Sequence, residues 1–519
     1  MGKGIFPQST HTNIQFFSFV LIAIGMPTTK VLMSFGLVFA IANWFLEGRF
    51  IEKWQQIKSN QLLQLIIVFY LLLIIGIFWS WDSLQGFKDI KSRLPMLALP
   101  LIVATSPLMS VKQVHYLLKL FLAALVFTSI YNILYYNNII GNISDSDIRG
   151  LSRFASHIRY GLLISMGFCI CIWFQLSSKK LLLPYSFVAL WFFIYSVYSQ
   201  VLSGIISLVL VIITIIFFVL FHKKKKLAFA FLSVILVGTI SMIVIVLNFS
   251  HEKVDCSKLP PLTENGNTYT HDCSAFSEIN GKAIMTYYSQ EEMELEWNKI
   301  SDIDFMSLDK NGMLLRATAA RYMTAINLTK DAKGVHELSK QDIKNIENGY
   351  TYPNERNDVI MPRFYGIKYQ LINRNNPNGH SLLQRFEHWK ASVFIIQKNW
   401  LIGVGTGGND KAFEWAYNEL KSPLSEENRK RSHNMYLAYG VNYGVFGIIL
   451  FLSILILAFV KSWKSKNLLS LGFLVIACGS FLNEDTLETQ LGITFFGFFF
   501  ALLLYSNRLQ DVEKHRNPK

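Results

Sequence analysis

LSGIISLVLVIITIIFFVLFHKKKKLAFAFLSVILVGTISMIVIVLNF, residues 202–249, is two apolar blocks divided by four consecutive lysines. Each block is about twenty residues long, enough for a helix to cross roughly 30 Å of hydrocarbon. The same texture recurs along the chain. It predicts twelve spans, near 14–29, 31–46, 61–79, 92–108, 114–133, 159–176, 182–199, 202–221, 227–249, 437–460, 467–482 and 489–506. The first and fourth are short and contain proline. With 52% hydrophobic and 16% charged residues in 519, the chain reads as an all-α polytopic membrane protein. The first apolar block leads straight into others, so no cleavable signal is expected.

A net charge of +14 invites a nucleic-acid reading, but its placement argues against one. The basic residues gather in alternate short loops: Arg49, Lys53 and Lys58; Lys112; Lys179 and Lys180; Lys223 to Lys226; Lys461, Lys464 and Lys466; and from Arg508 onward. Twelve crossings with the N-terminus inside put all of these on one side. The positive-inside rule then makes both termini cytoplasmic and the bilayer the charged partner. The expected organisation is a bundle over 1–249, a large external loop domain over 250–435, three further spans over 436–507 and a cytoplasmic tail at 508–519.

The loop of roughly 185 residues is the one segment large enough for a soluble core, and loops of this length are usually functional. Cys169, Cys171 and Cys478 fall within spans, whereas Cys256 and Cys273 fall in the loop. An oxidising compartment would let the last two bridge, for about 3 kcal/mol on the chain-entropy account. Smaller external loops are expected at 134–158, 80–91 and 483–488. Within the large loop, "MLLRATAARYMTAINLTKDA" has helical composition. "SLLQRFEHWKASVFIIQKN" places apolar residues at 382, 386, 389, 393 and 396, one face of a helix, with Arg385 and His388 on the other.

Several motifs imitate chemistry their context denies. "GVGTGG" at 403–408 fits G-x-G-x-x-G, but no βαβ unit surrounds it, so it reads as a tight turn before a helix. "DSD" at 145–147 and "DID" at 302–304 imitate the metal-holding motif of nucleotide-sugar glycosyltransferases, yet both are external, where such donors are absent. No H-E-x-x-H, G-x-S-x-G or cysteine-rich motif occurs, so neither metal nor cofactor is expected.

The external cations are more informative. Arg149, Arg153 and Arg159, with His157 among them, cluster before the sixth span, on the side where anchoring arginines are uncommon. A guanidinium at headgroup depth suits a lipid-linked phosphate, because its planar fork matches two oxygens and keeps its charge. His433 lies just before the tenth span, at the same interface.

Residues 385–450, "RFEHWKASVFIIQKNWLIGVGTGGNDKAF…RKRSHNMYLAYGVNYGVFGIILFL", resemble the signature region of the O-antigen ligase and polymerase superfamily. Arg385, Trp389, Gly403, Gly405, His433, Asn434, Leu437, Gly444 and Gly447 follow its pattern in order. The span count and the large loop between spans nine and ten resemble the ligase branch. The resemblance implies a C-type-like glycosyltransferase that moves a glycan from undecaprenyl pyrophosphate to an acceptor, lipid A–core sugar in ligases, at the outer face of a bacterial cytoplasmic membrane. It implies inversion without a metal, Arg385 on pyrophosphate and His433 at the acceptor hydroxyl or leaving group. Trp389 and Asn434, with Arg149, Arg153 and Arg159, are the further candidate substrate contacts. The family usually places an arginine after a serine at the outer end of a span before the loop. Here that stretch is "SQVLSGIIS", 199–207, without one. Either Arg159 or Arg153 supplies the charge, or the donor site differs. Rival readings are a polymerase or protein-glycosylating relative, or a non-catalytic lipid-linked glycan transporter. A transporter favours ionisable residues at mid-membrane and repeated halves, which this chain hardly shows.

Overall fold

The computed structural model describes residues 5–141, 151–178, 182–248, 255–272, 278–279, 282–353, 370 and 377–516. Among the described residues it is mostly helical, with one antiparallel pair of two-residue strands, Glu278–Ile279 and Lys282–Ala283. Every stretch expected to span holds a helix: Gln8–Thr28, Lys30–Glu47, Gln61–Ile75, Leu94–Thr105, Val111–Tyr136, His157–Ser177, Leu183–Tyr198, Leu202–Lys223, Lys225–Asn248, Met435–Lys464, Leu468–Phe481 and Gln490–Arg516. Among the described residues, six of these are long and apolar enough to cross a membrane, and a seventh if Phe50–Ser59 and Gln61–Ile75 form one span bent by 101°. The protein is polytopic, but twelve full crossings do not follow from length and composition. Leu94–Thr105 shows why: its 12 residues carry Pro95 and Pro100, and such a helix reaches only about 18 Å.

Contacts divide the chain into two compact units, Met1–Leu232 with Arg385–Lys519, and Ser233–Gln384. Residues 385–435 therefore group with the bundle rather than with the rest of the loop. In the first unit, Gln490–Arg516 contributes Phe495, Phe496, Phe498, Phe499 and Phe500 to the core. His157–Ser177 meets Leu202–Lys223 at paired glycines: a Cβ on Gly161 would lie 2.8 Å from the Gly204 Cα. Small residues let backbones approach where lipid provides no hydrophobic drive between helices. Lys53, read from sequence as a loop cation, is buried. It pairs with Glu47 at 3.0 Å and donates to the Trp44 carbonyl at 2.6 Å.

The second unit packs Gln290–Ile300, Leu315–Ala325, Ala332–His336 and Lys340–Glu347 around Trp297, Phe305, Tyr322, Met323 and Ile346. Buried Glu292 ties three segments together by accepting from Thr263, Asn267 and the Ala332 amide. Cys256 is disulfide-bonded, and Cys273, its expected partner, lies outside the described residues.

Candidate active site

The helix Ser381–Lys398 forms as its periodicity predicts, and its apolar stripe is not its buried side. Phe386 and Val393, on the apolar stripe, are 44% and 43% exposed, whereas His388, Ala391, Ser392 and Ile395 are buried. An apolar stripe on a membrane protein can face lipid, and the buried side is then free to be polar. That side turns His388 inward, where its Nε2 meets the Asn428 carbonyl at 3.1 Å and burial pushes its pKa down to about 4. Arg385 lies one turn before it, and Trp389 keeps a buried indole N–H without a hydrogen-bond partner.

The segment 403–408 is a tight turn, with Gly403, Gly405 and Gly407 at φ of 67°, 80° and 91°. Its amides bond backbone, not phosphate: Val404 N to Val441 O and Gly405 N to Asn442 O, both 2.9 Å, and Thr406 N to Gly76 O, 3.0 Å. A Cβ on Gly403 would lie 2.3 Å from the Asn442 carbonyl carbon. The turn thus wedges against the Met435–Lys464 helix close to its break at Gly444 and leads into the helix Asn409–Glu419.

Asn434 caps the Met435–Lys464 helix. Its Oδ1 accepts from Leu437 N at 3.1 Å and its Nδ2 donates to Leu482 O at 3.0 Å, so both ends of the amide hold this turn. The preceding His433 has φ of 46°, a left-handed backbone that few non-glycine residues adopt. This aims its ring at the loop Asn483–Thr489, where Nδ1 lies 3.0 Å from Asp485 Oδ2.

That loop, "NEDTLET", supplies residues which sequence reasoning did not single out. Glu484 accepts from Arg385 Nη2 at 3.1 Å through Oε1 and pairs with Arg159 Nη1 at 3.6 Å through Oε2. Asp485 faces His433 and keeps its other oxygen buried without a partner. Glu488, its side chain 9% exposed, accepts from Arg431 Nη1 at 2.8 Å and from Arg93 Nη2 at 3.4 Å. Arg431 also grips Asp410 bidentately at 2.7 and 3.0 Å, and buried Arg93 continues to Asp89 at 3.4 Å. Each buried charge therefore meets an opposite one, the condition under which burial is tolerated. The detectable signal was three acids in a short gap between apolar blocks, opposite external arginines.

The structure brings Arg159, Arg385 and His433 together around Glu484 and Asp485. Arg153 lies apart from these contacts, stacked 4.0 Å over the Tyr135 ring, and Arg149 lies outside the described residues. A cleft of about 610 Å³, lined by Asp410, Phe413, Tyr417, Arg431, His433 and Asp485, opens at the histidine. The hydrogen bond to Asp485 raises the His433 pKa above the ordinary imidazole value, burial opposing it in part. A carboxylate at Nδ1 fixes the proton on that nitrogen and leaves Nε2 as the basic one. Among the described residues no cluster of three or more metal-ligating side chains occurs.

One protein-family model, described as O-antigen ligase, matches residues 185–452, just over half of the chain and the part that carries Arg385 and His433. No curated protein gives a significant match.

Proposed function

The chain belongs to the O-antigen ligase family, and from that premise we propose that it transfers a glycan from undecaprenyl pyrophosphate to a lipid A–core sugar at the periplasmic face of the inner membrane. That it is a multi-pass bacterial membrane protein acting on lipid-linked glycan follows from the family and the apolar helices. The acceptor, the orientation and the site roles are our reading. The observation that carries it is His433 seated on Asp485 beside the Arg385–Glu484–Arg159 bridge.

In this mechanism the acceptor hydroxyl oxygen attacks the anomeric carbon from the face opposite the pyrophosphate. Its proton passes to His433 Nε2 as the new glycosidic bond forms. The anomeric carbon–oxygen bond breaks, its electron pair leaves on the pyrophosphate, and the guanidiniums of Arg385 and Arg159 neutralise that charge. One displacement inverts the anomeric centre. The mechanism assigns no step to a metal. Asn434 holds the turn that presents the histidine, and Trp389 offers a donor to the glycan.

The test incubates purified protein with labelled undecaprenyl-pyrophosphate glycan and one acceptor at a time: lipid A–core, a second carrier-linked repeat unit, or an acceptor protein. Label on lipid A–core supports the ligase. Label only on repeat units or protein makes it a polymerase or a protein O-oligosaccharyltransferase, and no transfer to any of them sinks the catalytic reading.

Two predictions arise here. With both termini cytoplasmic, a cysteine placed at Asn311 reacts with an impermeant thiol reagent in intact spheroplasts, and one at Lys224 does not. The reverse pattern would put the site on the wrong face. The second concerns pH. A base works only when unprotonated, so turnover rises with pH through the His433 pKa, which Asp485 holds above the usual value of about 6.5. Asp485→Asn removes the carboxylate that raises it. The rising limb should move to lower pH while the plateau falls about tenfold or more, because a weaker base accepts the proton. An unmoved limb means that His433 does not set the profile.

A further inference from the structure

Two guanidiniums from helices far apart in sequence converge on one carboxylate. Arg385 comes from Ser381–Lys398 and Arg159 from His157–Ser177, and each takes a different oxygen of Glu484, at 3.1 and 3.6 Å. The Glu484 side chain is 5% exposed and that of Arg385 30%, so the bridge is reached from the Arg385 side. Two oxygens held between two arginine forks is also the arrangement in which a phosphate binds, since carboxylate and phosphate offer guanidinium the same pair of acceptors.

Resting on the donor-site reading above, we propose that Glu484 is a resident stand-in for the donor's pyrophosphate, filling the seat between Arg385 and Arg159 in the empty protein and displaced when the donor arrives. Without it, two part-buried cations would lack a counter-charge whenever the carrier was absent. With it in place, an arriving anion meets like charge from Glu484 and from Asp485 on the same loop. Arg159 and Arg385 attract that anion from their two helices, as does His433, when protonated, from the segment before the tenth span. A singly charged anion gains no more from the guanidiniums than the carboxylate already does. A pyrophosphate brings more charge and more oxygens, so it can take both arginines and leave Glu484 to rotate away or bind a proton. The seat thereby selects a diphosphate over simple anions.

The test measures inorganic pyrophosphate binding to the purified full-length protein by calorimetry. Glu484→Gln removes the competing charge, and its affinity should rise about tenfold over the unaltered protein. Glu484→Ala, which also empties the seat, should rise at least as far. Glu419→Gln, an exposed acid outside these contacts, should change affinity less than about twofold. Should the amide variant misfold, Glu484→Asp serves instead: withdrawing the carboxylate by one methylene loosens both bridges, and affinity should rise about threefold. Weaker binding by the Glu484 variants would make the residue a strut that shapes the site and would overturn the proposal. So would an equal gain from Glu419→Gln, which would reduce the effect to net charge. If neither the unaltered protein nor any variant binds pyrophosphate, the donor-site reading itself fails, a result distinct from both.

Discussion

Replacing His433 with alanine should cost about a hundredfold or more in turnover, the usual scale for removing a general acid–base group, while leaving donor binding in place. The two halves of the result come from different groups. Nδ1 is committed to Asp485 at 3.0 Å, which leaves Nε2 as the ring's basic atom. The pyrophosphate falls to Arg385 and Arg159, whose bridge to Glu484 does not include the imidazole. Backbone geometry matters to the choice of variant, since φ at His433 is 46°. Asparagine tolerates that region better than alanine does, so His433→Asn separates loss of the base from strain in the turn. Both variants should lose turnover alike, with pyrophosphate affinity unchanged. A collapse of affinity with high residual turnover would make His433 a phosphate ligand. No change in either would leave it as a residue that only opens the helix.

What was legible in the sequence was what depends on composition over long windows. Apolar blocks separated by lysines gave the membrane class, because a lipid solvent imposes one length and one polarity on every segment that crosses it. Number was harder. Leu94–Thr105 and Leu468–Phe481 are apolar but too short to qualify by length. Direction was not legible on Ser381–Lys398, whose apolar stripe includes Phe386 and Val393, both exposed. Periodicity says that a helix has two faces, and the surrounding solvent decides which one is hidden.

The candidate site was half legible for a similar reason. Arg385 and His433 stand in a recognisable order, so a pattern could find them. Glu484, Asp485 and Glu488 lie about fifty residues beyond His433, past the matched region, in what reads as a solvated loop. Only the fold shows that each of them answers a particular cation. Arg93 was hidden differently, inside a stretch read as a span, although it is a buried link in the chain Asp410–Arg431–Glu488–Arg93–Asp89. Neutralisation of this kind is a property of pairs, and the partners here are separated by as many as 395 residues.

Arg385 carries the other large effect. Arg385→Ala should abolish measurable transfer, a loss of at least about a hundredfold, with the protein present in the membrane at near-normal level. The level should hold because the side chain is 30% exposed and Glu484 keeps Arg159 as a counter-charge. Transfer should not, because the departing pyrophosphate then meets one guanidinium where two are needed. Arg385→Lys should rescue poorly: an ammonium restores the charge, but it cannot hold two phosphate oxygens in one plane. Full activity in both variants would move the donor site elsewhere. The same assay decides which arginine stands in for the one absent from "SQVLSGIIS", 199–207. Arg159 shares Glu484 with Arg385, whereas Arg153 is occupied over Tyr135. Arg159→Ala should therefore approach the Arg385→Ala loss, and Arg153→Ala should stay within about twofold of the unaltered protein. The opposite ranking would assign the missing charge to Arg153 and require that loop to reach the carrier.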